Sequence, residues 1–354
     1  MQLLAWYDQN KRPLPWRLDQ ASLRDPYRTW VSEVMLQQTL IPVVIPAYQR
    51  FLQKFPDVFA LSLATEDELR PLVKGLGYYR RFGMLQRAAK IIAGVSPPGK
   101  PLWPENQDAW KALPGIGEYT SAAIGSIAFG IPVPVIDGNV ERVLCRLADI
   151  RQAPNLPELK PRYRQMITRM LGNPIATARP GDFNQAMMEL GQRICTPKSP
   201  DCGACPISAK CASRKAKSQH LAPAPKIRPD YEEVRLQMII GLRRGLDGKR
   251  EVALFRRGSK SKFLKGSRGF WYGETRDLPS GTENVGSFRH SITKHKITAD
   301  VQILEMKPLT TKSCKISAWT KESPDWVSAG AVENELISNL DVKAWRLVTR
   351  RLQP

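Results

Sequence analysis

At 354 residues the chain exceeds one ordinary core, so about two domains are expected. Lys and Arg outnumber Asp and Glu by 54 to 33, a formal charge of +21, which favours a polyanionic partner through release of condensed counterions: nucleic acid first, with a membrane surface as the alternative. The start, Met1 to Asp8, has no basic stretch followed by an apolar run, and the longest uncharged segment, Tyr119 to Ile136, is broken by Gly125, Gly130, Pro132 and Pro134; neither a secretory signal nor a bilayer span is expected, and the location expected is cytoplasmic, with the nucleoid if the source is prokaryotic.

Apolar residues recur at helical spacing at Tyr27, Trp30, Val31, Val34 and Met35, predicting a core-facing helix that also carries Glu33. On spacing alone that glutamate reads as an ordinary exposed helical carboxylate. Leu113-Pro114-Gly115-Ile116-Gly117 leads into a second apolar helix and reads either as a simple turn or as a phosphate grip, in which glycines admit a ligand and the helix amides face it. Asp137, after Pro132 and Pro134, stands where a helix N-cap belongs. Leu159, Tyr163, Met166, Ile167 and Met170 predict another helix, and Phe183 to Ile194 a further one that runs into a cysteine cluster.

That cluster, Cys195-x6-Cys202-x2-Cys205-x5-Cys211, can surround one metal centre, and zinc or a [4Fe–4S] cluster both suit four thiolates. Cys145 and Cys314 read as ordinary thiols. Beyond Cys211 the chain turns basic and proline-punctuated, as a semi-extended connector would be. The period then changes to two, at Val234, Leu236, Met238 and Ile240 and again at Ile297, Ala299, Val301 and Ile303, predicting strands, with a short helix over Trp345 to Leu352. The expected organisation is a helical domain over 1–215, a linker over 216–231 and an α/β domain over 232–354.

Taken together, the cysteine spacing, the Leu113–Gly117 pentapeptide, Val135-Ile-Asp137-Gly-Asn139 and Trp30-Val-Ser-Glu33-Val-Met-Leu-Gln37-Gln38-Thr39 resemble the endonuclease III and MutY superfamily of DNA glycosylases. The match runs from Trp6 to Cys211 and includes Leu14-Pro15-Trp16-Arg17, Gly75-Leu-Gly77-Tyr78-Tyr79 and Phe183-Asn184-Gln185-Ala-Met-Met-Glu189. The resemblance implies an all-α helix-hairpin-helix glycosylase domain with a [4Fe–4S] cluster on Cys195, Cys202, Cys205 and Cys211. It implies that Gly115 and Gly117 grip the DNA backbone, that Glu33 is the general acid and base, and that Asp137, with Asn139 in the same catalytic set, stabilises positive charge on the deoxyribose.

Two positions after Gly117, bifunctional relatives carry a lysine that forms a Schiff base; here Tyr119 stands there, and a phenol forms no imine. Tyr119 is expected to support Asp137, Gln38 to contact DNA around the lesion, Tyr78 to wedge into the duplex, and Arg12, Trp16 and Glu189 to surround the adenine. The implied activity is monofunctional removal of adenine mispaired with 8-oxoguanine or guanine in duplex DNA, by a monomer. A bifunctional glycosylase with lyase activity, a thymine mismatch glycosylase and a non-enzymatic iron–sulfur DNA-binding protein are the competing readings.

MutY enzymes carry a second, Nudix-like domain that reads 8-oxoguanine, and the strand-rich half from about Glu232 has suitable size and order. It lacks the metal-binding helix motif of active Nudix hydrolases. The expected lesion-reading loop is Phe288 to Ile297, where the Phe-Ser-His triplet of many relatives is replaced by Ile292-Thr293-Lys294. Thr293 is expected to hydrogen-bond the oxidised base, with His295 or Lys294 nearby.

Overall fold

A computed structural model describes residues 2–17, 25–227, 230–258, 260–274, 278–306 and 323–352. The chain divides into two units, Met1–Arg228 and Pro229–Pro354. Cys314 lies outside the described residues.

The first unit is helical and has two cores. One is built by α2 (Pro26–Leu36), α3 (Ile41–Lys54), α4 (Val58–Leu63), α5 (Glu66–Leu72), α6 (Arg80–Val95) and α7 (Gln107–Lys111), around Trp30, Phe51, Phe82 and Trp110. The other gathers α1 (Gln2–Asn10), α9 (Gly138–Leu147), α10 (Leu159–Leu171), α11 (Pro174–Thr177) and α12 (Pro180–Arg193) around Tyr7, Leu144, Tyr163 and Phe183. Between them α8 (Glu118–Ala128) serves both, giving Ile124 and Ala128 to the first core and Ala122 and Ala123 to the second.

Local chemistry starts these helices where they are needed. Asp25 caps α2, its Oδ1 accepting from the amides of Tyr27 at 2.8 Å and Arg28 at 3.2 Å, with Pro26 in the first turn. Glycines set the closest helix approaches: a Cβ on Gly181 of α12 would lie 2.7 Å from Ile127 Cα, and one on Gly191 would lie 2.8 Å from Asn139 Cβ. Only hydrogen fits at such contacts.

The connector differs from expectation. Cys211 is followed by α13 (Ala212–Lys215), Ser218 and Ala222 are buried, and the segment through Ile227 is docked on the helical unit. Arg146 Nε donates to the carbonyls of Gln219 at 3.1 Å and Ala222 at 2.8 Å, and Asn155 pairs with the backbone of Ile227 in both directions. Order here comes from side chains of distant elements rather than from any local periodicity, so composition alone reads as linker.

In the second unit a mixed sheet runs in the order β3 (Arg268–Gly269), β2 (Arg250–Arg256), β1 (Glu232–Arg244), β6 (His295–Glu305), β5 (Thr282–Ile292), with β4 (Trp271–Gly273) on β1 and β7 (Asp325–Ser328) on β2. The pair β1–β6 is parallel over Glu232↔His295 to Leu242↔Glu305; the others are antiparallel. The expected alternation of β1 gives way to continuous burial from Met238 to Leu242, because this strand is central and covered on both faces. Following α14 (Val332–Glu335), α15 (Asn339–Leu352) lays Leu340, Ala344, Trp345 and Val348 into the core with Leu236, Met238 and Ile240. It starts six residues before the helix the sequence predicts. Its first turn carries Asp341, which is buried against Arg257 at 2.6 Å and accepts from the Phe270 amide at 3.0 Å. No helix among the described residues is long and apolar enough to cross a membrane.

Candidate active site

Glu33 sits on the inward face of α2 at 6% exposure, and its Oε2 has no hydrogen-bond partner. Burial pushes its carboxyl from 4.5 up to about 7; an interaction with the Tyr119 phenol and the charge of Arg17 pull the other way, and the charge of Asp137 adds to the rise. The exposed-glutamate reading is therefore replaced: the helical spacing was right, and this position faces in.

Asp137 is the N-cap of α9, and it does more than cap. Its Oδ1 accepts from the amides of Asn139 at 2.9 Å and Val140 at 2.8 Å, while Oδ2 accepts from Asn139 Nδ2 at 2.8 Å. Three donors fix the carboxylate in one orientation. Asn139 is itself held, its Oδ1 accepting from Arg142 Nη2 at 3.0 Å; Arg142 also donates to the carbonyls of Gly191 at 2.7 Å and Cys195 at 2.8 Å. The same hydrogen-bond set thus joins the Asp137 turn to the end of α12 and the start of the cysteine loop.

Tyr119 lies in the first turn of α8, half-buried, with its hydroxyl donating to Met188 Sδ at 3.4 Å. Desolvation and the nearby carboxyls of Glu33 and Asp137 push its phenol well above its ordinary range, so it stays a neutral donor. Tyr119, Glu33 and Asp137 are therefore electrostatic neighbours, with Arg17 acting on the same group.

The hairpin before α8 is built for close approach. Gly115 takes φ +80, and a Cβ there would lie 2.7 Å from Met84 Cβ; Gly117 begins α8 with no side-chain cap and open space where its Cβ would be. Leu113 and Ile116 are buried and anchor the turn. The uncapped amides at this helix start are available to an anion.

Glu189 is buried on α12 and held by Arg12 at 2.5 Å and Arg17 at 3.0 Å. Burial pushes its carboxyl up, but the two guanidiniums outweigh this and hold it below the usual carboxylate range. Arg17 also donates to Gln185 Oε1 at 2.8 Å. Trp16 packs edge-on against Tyr48 at 5.3 Å, on the first core. Gln38 and Tyr78 are both exposed.

Cys195, Cys202, Cys205 and Cys211 line one pocket together with Arg146 and Gln219. Arg146 Nη1 reaches Cys195 Sγ at 3.4 Å, and Gln219 Nε2 reaches Cys202 Sγ at 3.7 Å. Among the described residues no three His, Cys, Asp or Glu side chains form a group ready to hold a metal ion. Cys145, outside the cluster, is buried against the Tyr163 hydroxyl at 3.1 Å.

In the second unit Thr293 and Lys294 form the tight turn between β5 and β6, flanked by the pair Ile292↔His295. Thr293 adopts φ +52, which a β-branched residue rarely does. Its hydroxyl donates to the Ile292 carbonyl at 2.7 Å, and His295 Nε2 lies 3.0 Å from Glu232.

Sequence reasoning assigned no role to Arg17, Arg81, Arg142 or Asn184. Asn184, fully buried on α12, clamps the segment leading to Asp137 through the Val133 carbonyl at 2.9 Å and the Val135 amide at 3.3 Å. A polar amide on the apolar face of a helix was the available signal; for the arginines, one cation among many gave none.

Residues 31–165 match the HhH-GPD superfamily of base excision DNA repair proteins. The chain is similar to an adenine DNA glycosylase of Mus musculus, 44% identical over 239 residues covering 66% of this chain and 45% of the relative, and to one of Homo sapiens, 42% identical over 238 residues covering 65% and 42%. It therefore spans less than half the length of these relatives. Among solved structures, a thermostable thymine-DNA glycosylase superposes with a TM-score of 0.52 at 26% identity, covering 61% of this chain and 94% of that one. The family match lies over the helical unit, from α2 into α10, and over about two thirds of its length the chain is similar to adenine DNA glycosylases.

Proposed function

We propose that this chain is a monofunctional adenine DNA glycosylase, acting as a monomer in the cytoplasm on duplex DNA in which adenine is mispaired with 8-oxoguanine or guanine. The observation that carries this reading is Glu33, a buried carboxyl pushed up to about 7, with an unpartnered oxygen, beside Asp137 and Tyr119. Adenine leaves poorly until protonated, and a nucleotide turned out of the stack exposes N7 as a basic atom. Glu33 is protonated near neutral pH and supplies that proton.

As the glycosidic bond breaks, positive charge grows on the deoxyribose, and Asp137, fixed by its three donors, stabilises it. Water then attacks the sugar, and Glu33 takes back a proton. Tyr119 offers a hydroxyl but no amine, so no Schiff base forms at that position. Glu189, buried with both oxygens taken up by Arg12 and Arg17, fixes those guanidiniums beside the place read for the base.

The four cysteines suit a [4Fe–4S] cluster: they share one pocket, and their donor set is all thiolate. Such a cluster would organise the loop Cys195 to Cys211 for DNA binding; the hydrolytic chemistry needs no electron transfer. The second unit is read as a Nudix-like lesion reader, with Thr293 and His295 at its contact turn.

The test is single-turnover base release from duplexes carrying adenine opposite 8-oxoguanine, adenine opposite guanine, and thymine opposite guanine. Adenine release fastest opposite the oxidised base is expected. Release of thymine alone would move the chain to the mismatch reading that the solved thymine-DNA glycosylase illustrates, and binding without release would make it non-enzymatic.

A further inference from the structure

Gln38 and Tyr78 are forty residues apart in sequence, yet both stand exposed on left-handed backbone, at φ +57 and φ +46. Non-glycine residues hold that region only where the surroundings over-determine it. Gly75 at φ +88 and Gly77 at φ +67 add two more turns beside Tyr78, and glycines alone would leave that loop loose. One buried side chain beneath them hydrogen-bonds to both loops.

Arg81, in the first turn of α6, is 2% exposed. Its Nη1 donates to the Gln37 carbonyl, and its Nη2 donates to Thr39 Oγ1 at 2.8 Å and to the Leu76 carbonyl at 2.9 Å. The Thr39 hydroxyl itself donates to the Leu76 carbonyl at 2.8 Å, and the Arg81 amide donates to the Tyr78 carbonyl at 3.1 Å. The residues on either side of Gln38 and the turn that carries Tyr78 thus meet at a single guanidinium.

These acceptors are all neutral, the Arg81 Nε has no partner, and the guanidinium lies 4.8 Å from the Phe82 ring. Burial lowers its pKa only to about 10, so the group stays charged. Burying a cation against neutral acceptors is costly. A fan of planar donors is what distinguishes arginine from a cheaper filler or from the point charge of lysine.

We infer that Arg81 is a positioning residue that locks the Gln38 loop and the Tyr78 loop into one rigid element, so that both side chains enter the duplex together. This rests on the reading of Gln38 and Tyr78 as DNA contacts.

The test uses the full chain and a duplex in which 8-oxoguanine pairs with a non-cleavable adenine nucleotide and has 2-aminopurine beside it, whose fluorescence rises on unstacking. Wild type is expected to raise the signal, and Tyr78→Ala to lose the rise. Arg81→Met and Arg81→Lys are expected to lose most of it and to slow single-turnover excision about tenfold or more, while binding of undamaged duplex stays within about twofold. In the Tyr78→Ala background Arg81→Lys should slow single-turnover excision by less than it does in wild type, since the two act through one element. Arg81→Lys, which keeps charge and stem, carries the test if Arg81→Met does not fold. A wild-type rise that persists in Arg81→Lys, or an additive slowing in the double variant, overturns the inference alone. A wild type that unstacks nothing overturns the DNA role of Tyr78 and the inference with it.

Discussion

In the proposed mechanism Glu33 decides the chemistry, because burial raises its carboxyl to about 7. Its folded-state pKa lies above that of the unfolded chain, so the folded state disfavours its ionisation: stability is complete below about 4.5 and is lost as pH rises through about 7. Excision should follow the same protonation and fall as pH rises through about 7, as a pH profile of the single-turnover rate would record. Glu33→Gln should abolish excision, retain binding of mispaired duplex, and stabilise the protein by about 1–3 kcal/mol at pH above 8 in denaturant unfolding. Undiminished turnover in that variant would remove the assignment. At Asp137 the N-cap hydrogen bonds hold the carboxylate in one orientation, and the proposed charge-stabilising role uses that same fixed carboxylate.

At the level of elements, the site depends on how closely α12 approaches α9. Gly191 allows it: a Cβ there would lie 2.9 Å from the Asn139 carbonyl oxygen, and Asn139 holds Asp137. Gly191→Ala should cost about 1–3 kcal/mol in unfolding experiments through overpacking. It should also slow excision by more than the stability loss accounts for, because the helix must retreat together with the Asp137 turn; wild-type excision in a folded Gly191→Ala protein would contradict this. The helix-hairpin-helix turn follows the same logic, with Gly115 chosen by its left-handed backbone and by Met84 beneath it. The sequence motif was visible because glycine is required there for two independent reasons.

For the whole molecule, the +21 charge predicts binding that is strongly salt-dependent: affinity for undamaged duplex should fall at least about a hundredfold between about 50 and 200 mM salt, as a titration series would measure. A flat response would deny the polyanion its part. The second unit should govern preference rather than rate. Thr293→Ala removes the hydroxyl and the β-branch held at φ +52, and it should reduce the preference for adenine opposite 8-oxoguanine over adenine opposite guanine while leaving release from the guanine pair nearly unchanged. Equal preference in wild type and variant would release the β5–β6 turn from that role.

The sequence by itself determined the helical and strand-rich halves, the four-cysteine loop, the glycine hairpin and the absence of a lysine at Tyr119, because each is written in local periodicity, spacing or residue chemistry. Tertiary structure decided the rest. Which face of α2 Glu33 occupies, and so whether it is an ordinary carboxylate or an acid near neutral pH, depends on the desolvation contributed by packing from other helices. The connector through Ile227 reads as linker until Arg146 and Asn155 bind its carbonyls and amides. Arg81, Arg142 and Asn184 gain their roles from backbone groups tens of residues away, and hydrogen bonds across that separation leave no period or motif in the chain.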